Sequence, residues 1–253
     1  MAADSLSYLA SALLLLGIRT DEPRPEPAPG RSLRAEIAEG VGFVFRQPLL
    51  RVIAAASAGS NFFSAMVLAV QTVFWVRVLA LSPAAIGVLL SVSAVGGLAG
   101  ALCAGALARR LGQARIIWLS VAVSSPFALL WPLAQGPAGA VVFAAGSAVV
   151  FFGAVVYNVA QVSFRQVICP PALSGRMNAT MRFLVWGTIP LGALAGGTIA
   201  AAAGPRAALW VCAVGLLAVP LPLLLSPLRR MRDLPDAQPA EPDAEAVTAP
   251  AAR

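Results

Sequence analysis

The sequence predicts an all-α, polytopic membrane bundle: six full transmembrane helices preceded by one abbreviated N-terminal helix. Three observations predict it. From Gly40 to Arg232 there is no Asp, Glu, His or Lys. The mean hydropathy of the chain is +0.82. Apolar runs near the roughly 20 residues that a helix needs to cross a bilayer recur along its length. A charge at the bilayer centre costs about 2.5–3.5 kcal/mol on insertion scales, so charged side chains survive mainly at helix ends. With 59% hydrophobic and 11% charged residues among 253, a soluble surface could not be made polar.

The first run, Ser5 to Ile18, is short and starts almost at Met1. Residues 1–19 are therefore expected to be the remnant of a helix whose upstream context precedes this chain. The run has neither a basic flank nor a distinct small-residue cleavage site, so it does not read as a signal peptide. Residues 20–50 read as a linker. Asp21 to Gly30 is charged and Pro-rich, unsuited to a helix. A short helix follows, with Ser32 as its cap, Glu36 and Glu39 in its early turns, and a narrow stripe of Leu33, Ile37, Val41 and Val44. It should stop at Gln47-Pro48 and lie at the membrane surface, packed under the bundle, with a membrane-targeting or partner-binding helix as the alternative.

Six full spans follow within residues 51–228: Val52 to Val76, Ala84 to Ala108, Ile116 to Ala134, Ala138 to Phe164, Ala179 to Ala203 and Ala207 to Leu225. Pro126, Pro132, Pro190, Pro220 and Pro222 are the expected bend points. Gly96, Gly97, Gly100 and Gly105 on one span, and Gly192, Gly196 and Gly197 on another, should let backbones approach closely. Residues 229–253, rich in Asp, Glu, Pro and Ala, should form a disordered tail.

Arginine positions orient the bundle. One set of connections carries fifteen arginines, from Arg19 through Arg232, and the opposite set carries Arg77 and Arg206. The richer side is expected to be cytoplasmic, which places the C-terminus in the cytoplasm of a plasma-membrane protein. The positive charge does not gather on one face with interleaved aromatics, so nucleic acid is not an expected partner. Cys103, Cys169 and Cys212 are far apart and have no His to join them, so neither a metal site nor a redox pair is expected. No cofactor is called for. General acid–base catalysis has no carboxylate, His or Lys to draw on between residues 40 and 232, which disfavours an enzyme.

Polar residues inside the spans are the candidates for function. Tyr157, Asn158, Gln161 and Arg165 share a helix face, which in lipid must turn toward protein or a watery cavity. Glue between helices is an equal alternative. Asn61 and Gln71 lie about 15 Å apart along one helix and are weaker cavity candidates. Arg165 and Arg182 sit near the cytoplasmic ends of adjacent spans and are expected to cap helix ends or meet phosphates. Together with Pro190, Gly196 and Gly197 they form a helix-end and gating set.

The loop between the second and third full spans carries Gly105-Ala-Leu-Ala-Arg109-Arg110-Leu-Gly112-Gln-Ala-Arg115. Gly105 is expected to permit close helix approach, Gly112 a tight reversal, and Arg110 and Arg115 contacts with helix carbonyls or lipid phosphates. The segment resembles the loop signature of the major facilitator superfamily at Gly105, Leu107, Ala108, Arg110, Gly112 and Arg115. It departs at Arg109, where that signature has Asp, and at Gln113. Val156 to Gln166, Cys169-Pro-Pro, Gly175 to Phe183 and Pro190 to Gly197 are similar to the enterobactin-exporter-like branch found in actinobacteria. The resemblance implies the sixth helix and the complete second half of a two-half transporter that works by alternating access. It further implies efflux of small amphipathic or siderophore-like cargo, with the bilayer as its surroundings. The missing N-terminal half, or a second copy of the chain, would be its partner. A truncated, non-transporting fragment is the alternative.

Overall fold

The computed structural model describes residues 2–17, 33–136, 138–170 and 173–233. The Pro-rich linker, the Ser32 cap, Arg19, Arg24, Arg31 and the tail beyond Asp233 lie outside the described residues. Helices and turns account for the described residues, with no strand among them. The chain divides into two compact units, residues 1–35 and 36–253. The first holds α1, Ala2–Leu16. Its apolar part, Ser5–Leu15, is shorter than a span.

The second unit contains nearly all of α2, Leu33–Arg46, which ends where the sequence places its stop. Gln47 is extended, as a residue before proline prefers, and Pro48 opens α3, Pro48–Arg77, where its missing N–H is no loss. Five more spans follow. They are α4, Pro83–Leu111; a segment broken into α5, Arg115–Ser124, and α6, Leu130–Leu133; α7, Gly139–Ile168; α8, Ser174–Trp186, continued by α9, Thr188–Ala203; and α10, Pro205–Ala218, continued by α11, Pro220–Leu225. The six spans have mean hydropathies of 1.5 to 2.4 and are long and apolar enough to cross a membrane. The protein is an all-α polytopic membrane bundle.

Prolines and glycines punctuate it. Pro126 heads a 3-10 stretch, Ser125–Leu129, between α5 and α6. Pro220 begins α11 after the break at Val219. The break in the fifth span falls at Gly187, however, and not at the expected Pro190. Pro190 is the third residue of α9, where a backbone N–H has no helical acceptor and its loss costs little.

The spans form two interlocked triplets, α3–α4–α5/α6 and α7–α8/α9–α10/α11. The middle helix of each crosses the first helix of the other. A Cβ at Gly96 or Gly100 of α4 would fall onto the backbone of Ala148 or Phe152 of α7. One at Gly192 or Gly196 of α9 would fall onto that of Phe62 or Met66 of α3. The third helices repeat the exchange, with Gly153 of α7 against Ser124 and Gly215 of α10 against the Phe63 ring. Such reciprocal pairing is the mark of an internal structural repeat. Van der Waals contact at small residues is the main attraction available between helices in lipid. Two expected packing glycines do not serve this way. Gly197 meets nothing within 4 Å, and Gly105 meets only the Arg109 side chain at 3.5 Å. Both lie off the faces where helices cross.

One end of the bundle is sealed by aromatics. The Phe143 ring lies 5.4 Å from Trp75, 5.9 Å from Trp131 and 6.1 Å from Phe74. Trp131 Nε1 donates to Ser147 Oγ at 3.0 Å. Arg206 Nη2 donates to the Ala134 carbonyl at 2.9 Å, and the guanidinium lies over Phe74. At the other end, a 3-10 turn at Pro227–Arg230 follows α11. The Arg232 carbonyl then accepts from the N–H groups of Ala114 and Arg115, at 3.1 and 3.4 Å. The expected disordered tail is thus ordered over its first residues, because this carbonyl satisfies open donors at the start of α5.

Candidate membrane cavity

Between the two triplets lies a half-open cavity of about 360 Å³, within the range of small-ligand sites. Four elements supply its polar lining. From α3 come Ser57, Ser60, Asn61 and Ser64, at i, i+3, i+4 and i+7, a single stripe of one helix. From α7 come Tyr157, Asn158, Gln161 and Arg165, and from the α5 break Ser124 and Ser125. Arg182 and Trp186 reach it from α8.

Hydrogen bonds fix much of this surface. Tyr157 donates its hydroxyl hydrogen to the Ile53 carbonyl at 3.3 Å, leaving Ser57 Oγ as donor in their 2.7 Å contact. Asn61 Nδ2 donates to the Ser57 carbonyl at 2.9 Å. Gln161 Nε2 donates to Asn158 Oδ1 at 3.1 Å, which turns the Asn158 amide along the helix. Gln161 Oε1 and Arg165 Nε are buried with no hydrogen-bond partner among the described residues. The Arg182 guanidinium lies 4.5 Å from the centre of the Trp186 ring, a cation–π distance.

Of the sequence-predicted cavity residues, Asn61, Tyr157, Asn158 and Gln161 come together here. Gln71 does not: half-buried further along α3, it is outside the lining because its ten-residue offset turns it away from Asn61. Arg165 and Arg182, expected as helix-end groups, both line the cavity. The serines and Trp186 were not anticipated. The serine spacing on α3 was the available signal, masked because a lone serine in a membrane helix is commonplace.

The Gly105–Arg115 loop is organised differently from its expectation. Gly112 has φ +100°, which suits glycine, and makes the reversal. Arg109, Arg110 and Arg115 are exposed, and none makes a side-chain hydrogen bond among the described residues. On the same side of the bundle, α2 packs on α8. A Cβ at Gly40 would lie 2.9 Å from Thr180 Oγ1 and 3.0 Å from the Arg176 carbonyl. Arg176 Nη1 pairs with Glu39 Oε2 at 2.7 Å. A shallow groove lined by Phe43, Arg46 and Leu173 runs beside this contact. Cys169 ends α7, its N–H bonded to the Arg165 carbonyl at 3.1 Å, and burial pushes its thiol pKa up. Among the described residues no group of three or more His, Cys, Asp or Glu could hold a metal ion.

A sequence model of the family described as Major Facilitator Superfamily matches residues 2–190. No curated protein matches the chain.

Proposed function

The chain belongs to the major facilitator superfamily, whose members are transporters, and on that premise we propose that it is the C-terminal half of a secondary transporter. In this reading it exports small amphipathic or siderophore-like molecules by alternating access. One observation carries it: polar side chains of four membrane-embedded elements converge on a single cavity between two interlocked triplets. Polar groups are costly in lipid, so their collection on one surface fits a water-filled path. The aromatic rings Tyr157 and Trp186 beside amides, hydroxyls and guanidiniums suit a cargo with both an oxygen-rich and an apolar part.

The cavity is open along one side, which favours a half that works against a partner, either an N-terminal half or a second copy. Among the described residues no carboxylate or His lines it, so in this reading a coupling proton would be carried by residues of that partner. By the arginine distribution the Arg165 end faces the cytoplasm, the tail is cytoplasmic, and the protein sits in the plasma membrane.

Cysteine accessibility tests the cavity. With the native cysteines replaced, Asn158→Cys should react with a membrane-impermeant maleimide in opened membranes, while a cysteine at lipid-facing Leu102 should not. Equal protection of both would remove the water-filled path. In proteoliposomes the chain alone should show no saturable flux, and saturable, Asn158-dependent flux would overturn the half-transporter reading. A reporter fused to the C-terminus, active only in the cytoplasm, checks the orientation.

A further inference from the structure

Among the described residues, two guanidinium groups line the cavity and no Asp, Glu or His lines it with them. Arg165 follows Gln161 by one turn of α7, and Arg182 precedes Trp186 by one turn of α8. Arg182 has the Trp186 ring as a partial counterpart. Arg165 has less: its Nε is buried and unbonded among the described residues. Beside it Gln161 is only 7% exposed and its Oε1 is also unbonded. An uncompensated cation and an unmet acceptor are each costly away from water. Two cations contributed by different helices to one surface also sum to a positive potential that low-dielectric walls focus.

We propose that the cargo of this cavity is an amphipathic organic anion. Arg165 and Arg182 hold its acidic head, and Gln161 Oε1 accepts a hydroxyl or N–H hydrogen adjacent to that head. The Trp186 ring and Val185 cover its apolar body. A guanidinium grips a carboxylate or phosphate through paired N–H donors, so both charge and geometry contribute to the choice. The proposal rests on the reading of the cavity as a cargo site, and adds to it the sign of the charge and the residues that select it. An ortho-hydroxy acid, which presents a carboxylate and a hydroxyl side by side, has the required pattern.

The test is calorimetric titration of the full chain in phosphatidylcholine nanodiscs with three ring-matched probes: 2,3-dihydroxybenzoate, uncharged catechol and cationic dopamine. The anion should bind at least about tenfold more tightly than catechol, the margin of one charge-assisted pair, and dopamine should bind weakest. Arg165→Gln and Arg182→Gln should each remove the anion's advantage, provided helicity and elution volume are unchanged. Arg182→Lys should restore part of it, which loss of packing would not. Repeating the titration with one-third phosphatidylglycerol separates the sources of the anion. With the surface charge of the anionic lipid screened by about 1 M salt in both lipid compositions, unchanged affinity assigns the site to a soluble anion, and weakened affinity shows that lipid phosphate occupies the same arginines. If catechol or dopamine matches the anion and Asn158→Ala weakens them, the cavity stands as a cargo site and its selection of anions is refuted. If no probe binds and Asn158→Cys is also unreactive, both readings fall.

Discussion

The Tyr157 hydroxyl and Ser57 Oγ lie 2.7 Å apart, a hydrogen bond between α7 and α3 that links the first helices of the two triplets beside the cavity. Those two helices make few other contacts. Both residues are buried, with 6% and 5% exposure, so water cannot easily replace either partner. It is one of several polar ties between the triplets, alongside Trp131–Ser147 and Arg206–Ala134, and Ile53 shares it through its carbonyl.

Tyr157→Phe should therefore loosen the bundle without emptying it. The ring remains and the hydroxyl is lost, at a cost of about 0.5–1.5 kcal/mol, the net worth of a typical hydrogen bond. Ser57→Ala removes the same bond from the other side. A double-mutant cycle on unfolding in mixed micelles should give a coupling energy of about 0.6 kcal/mol or more, the mean found for interhelical bonds in membranes. Additive single effects would show that the two hydroxyls do not act on one another.

The glycines separate into those that meet a backbone and those that do not. Gly96→Ala and Gly192→Ala each put a methyl group onto the main chain of a crossing helix. Main chain cannot rotate away, so each should cost about 1–3 kcal/mol, as overpacking does. Gly197→Ala enters open space and should be neutral or stabilising by up to about 1 kcal/mol, through helix propensity. Midpoints of thermal unfolding in one detergent rank the three. A loss at Gly197 equal to that at Gly96 would undo the crossing argument.

That contrast shows where the sequence was and was not legible. Helix extents were readable because apolar length is imposed by the bilayer: Ala84 to Ala108 in the sequence is Pro83–Leu111 in the fold. The Tyr157, Asn158, Gln161 and Arg165 face was readable because helical spacing is local. What lies across from a face is not local. Gly196 and Gly197 are adjacent, yet only Gly196 meets α3, and no spacing rule identifies the facing helix. Gln71 failed for the same reason. Pro190 misled because a proline breaks a helix only where its N–H would have been bonded. The serine stripe of α3 was overlooked because serine carries little hydropathy either way, although its spacing was visible.

Glu39 and Gly40 are neighbours on α2 that hold α8 by different means. The Glu39–Arg176 pair is partly exposed, with side-chain exposures of 42% and 26%, and such pairs contribute only about 0–1 kcal/mol. Gly40 allows the two helices to touch, so a larger residue there must lift α2. Gly40→Val should raise trypsin cleavage at the exposed Arg46 several-fold, whereas Glu39→Gln should leave it nearly unchanged. Equal cleavage in the two variants would transfer the anchoring role from packing to charge.

Gly112 and Arg232 meet where the loop after α4 turns back into α5. At φ +100° an L side chain is strained, and its Cβ would also strike the Arg232 main chain. Gly112→Ala should thus cost about 1–3 kcal/mol in backbone strain and additionally displace the carbonyl that serves Ala114 and Arg115. Ending the chain at Met231 removes that carbonyl directly, at about 0.5–2 kcal/mol if it behaves as an N-terminal cap. The two changes share one consequence, so they should be less than additive. Gly112→Ala should shift the unfolding midpoint less in the shortened chain than in the full one, because only the strain remains to be lost. An equal shift in both backgrounds would mean that the tail does not brace this loop.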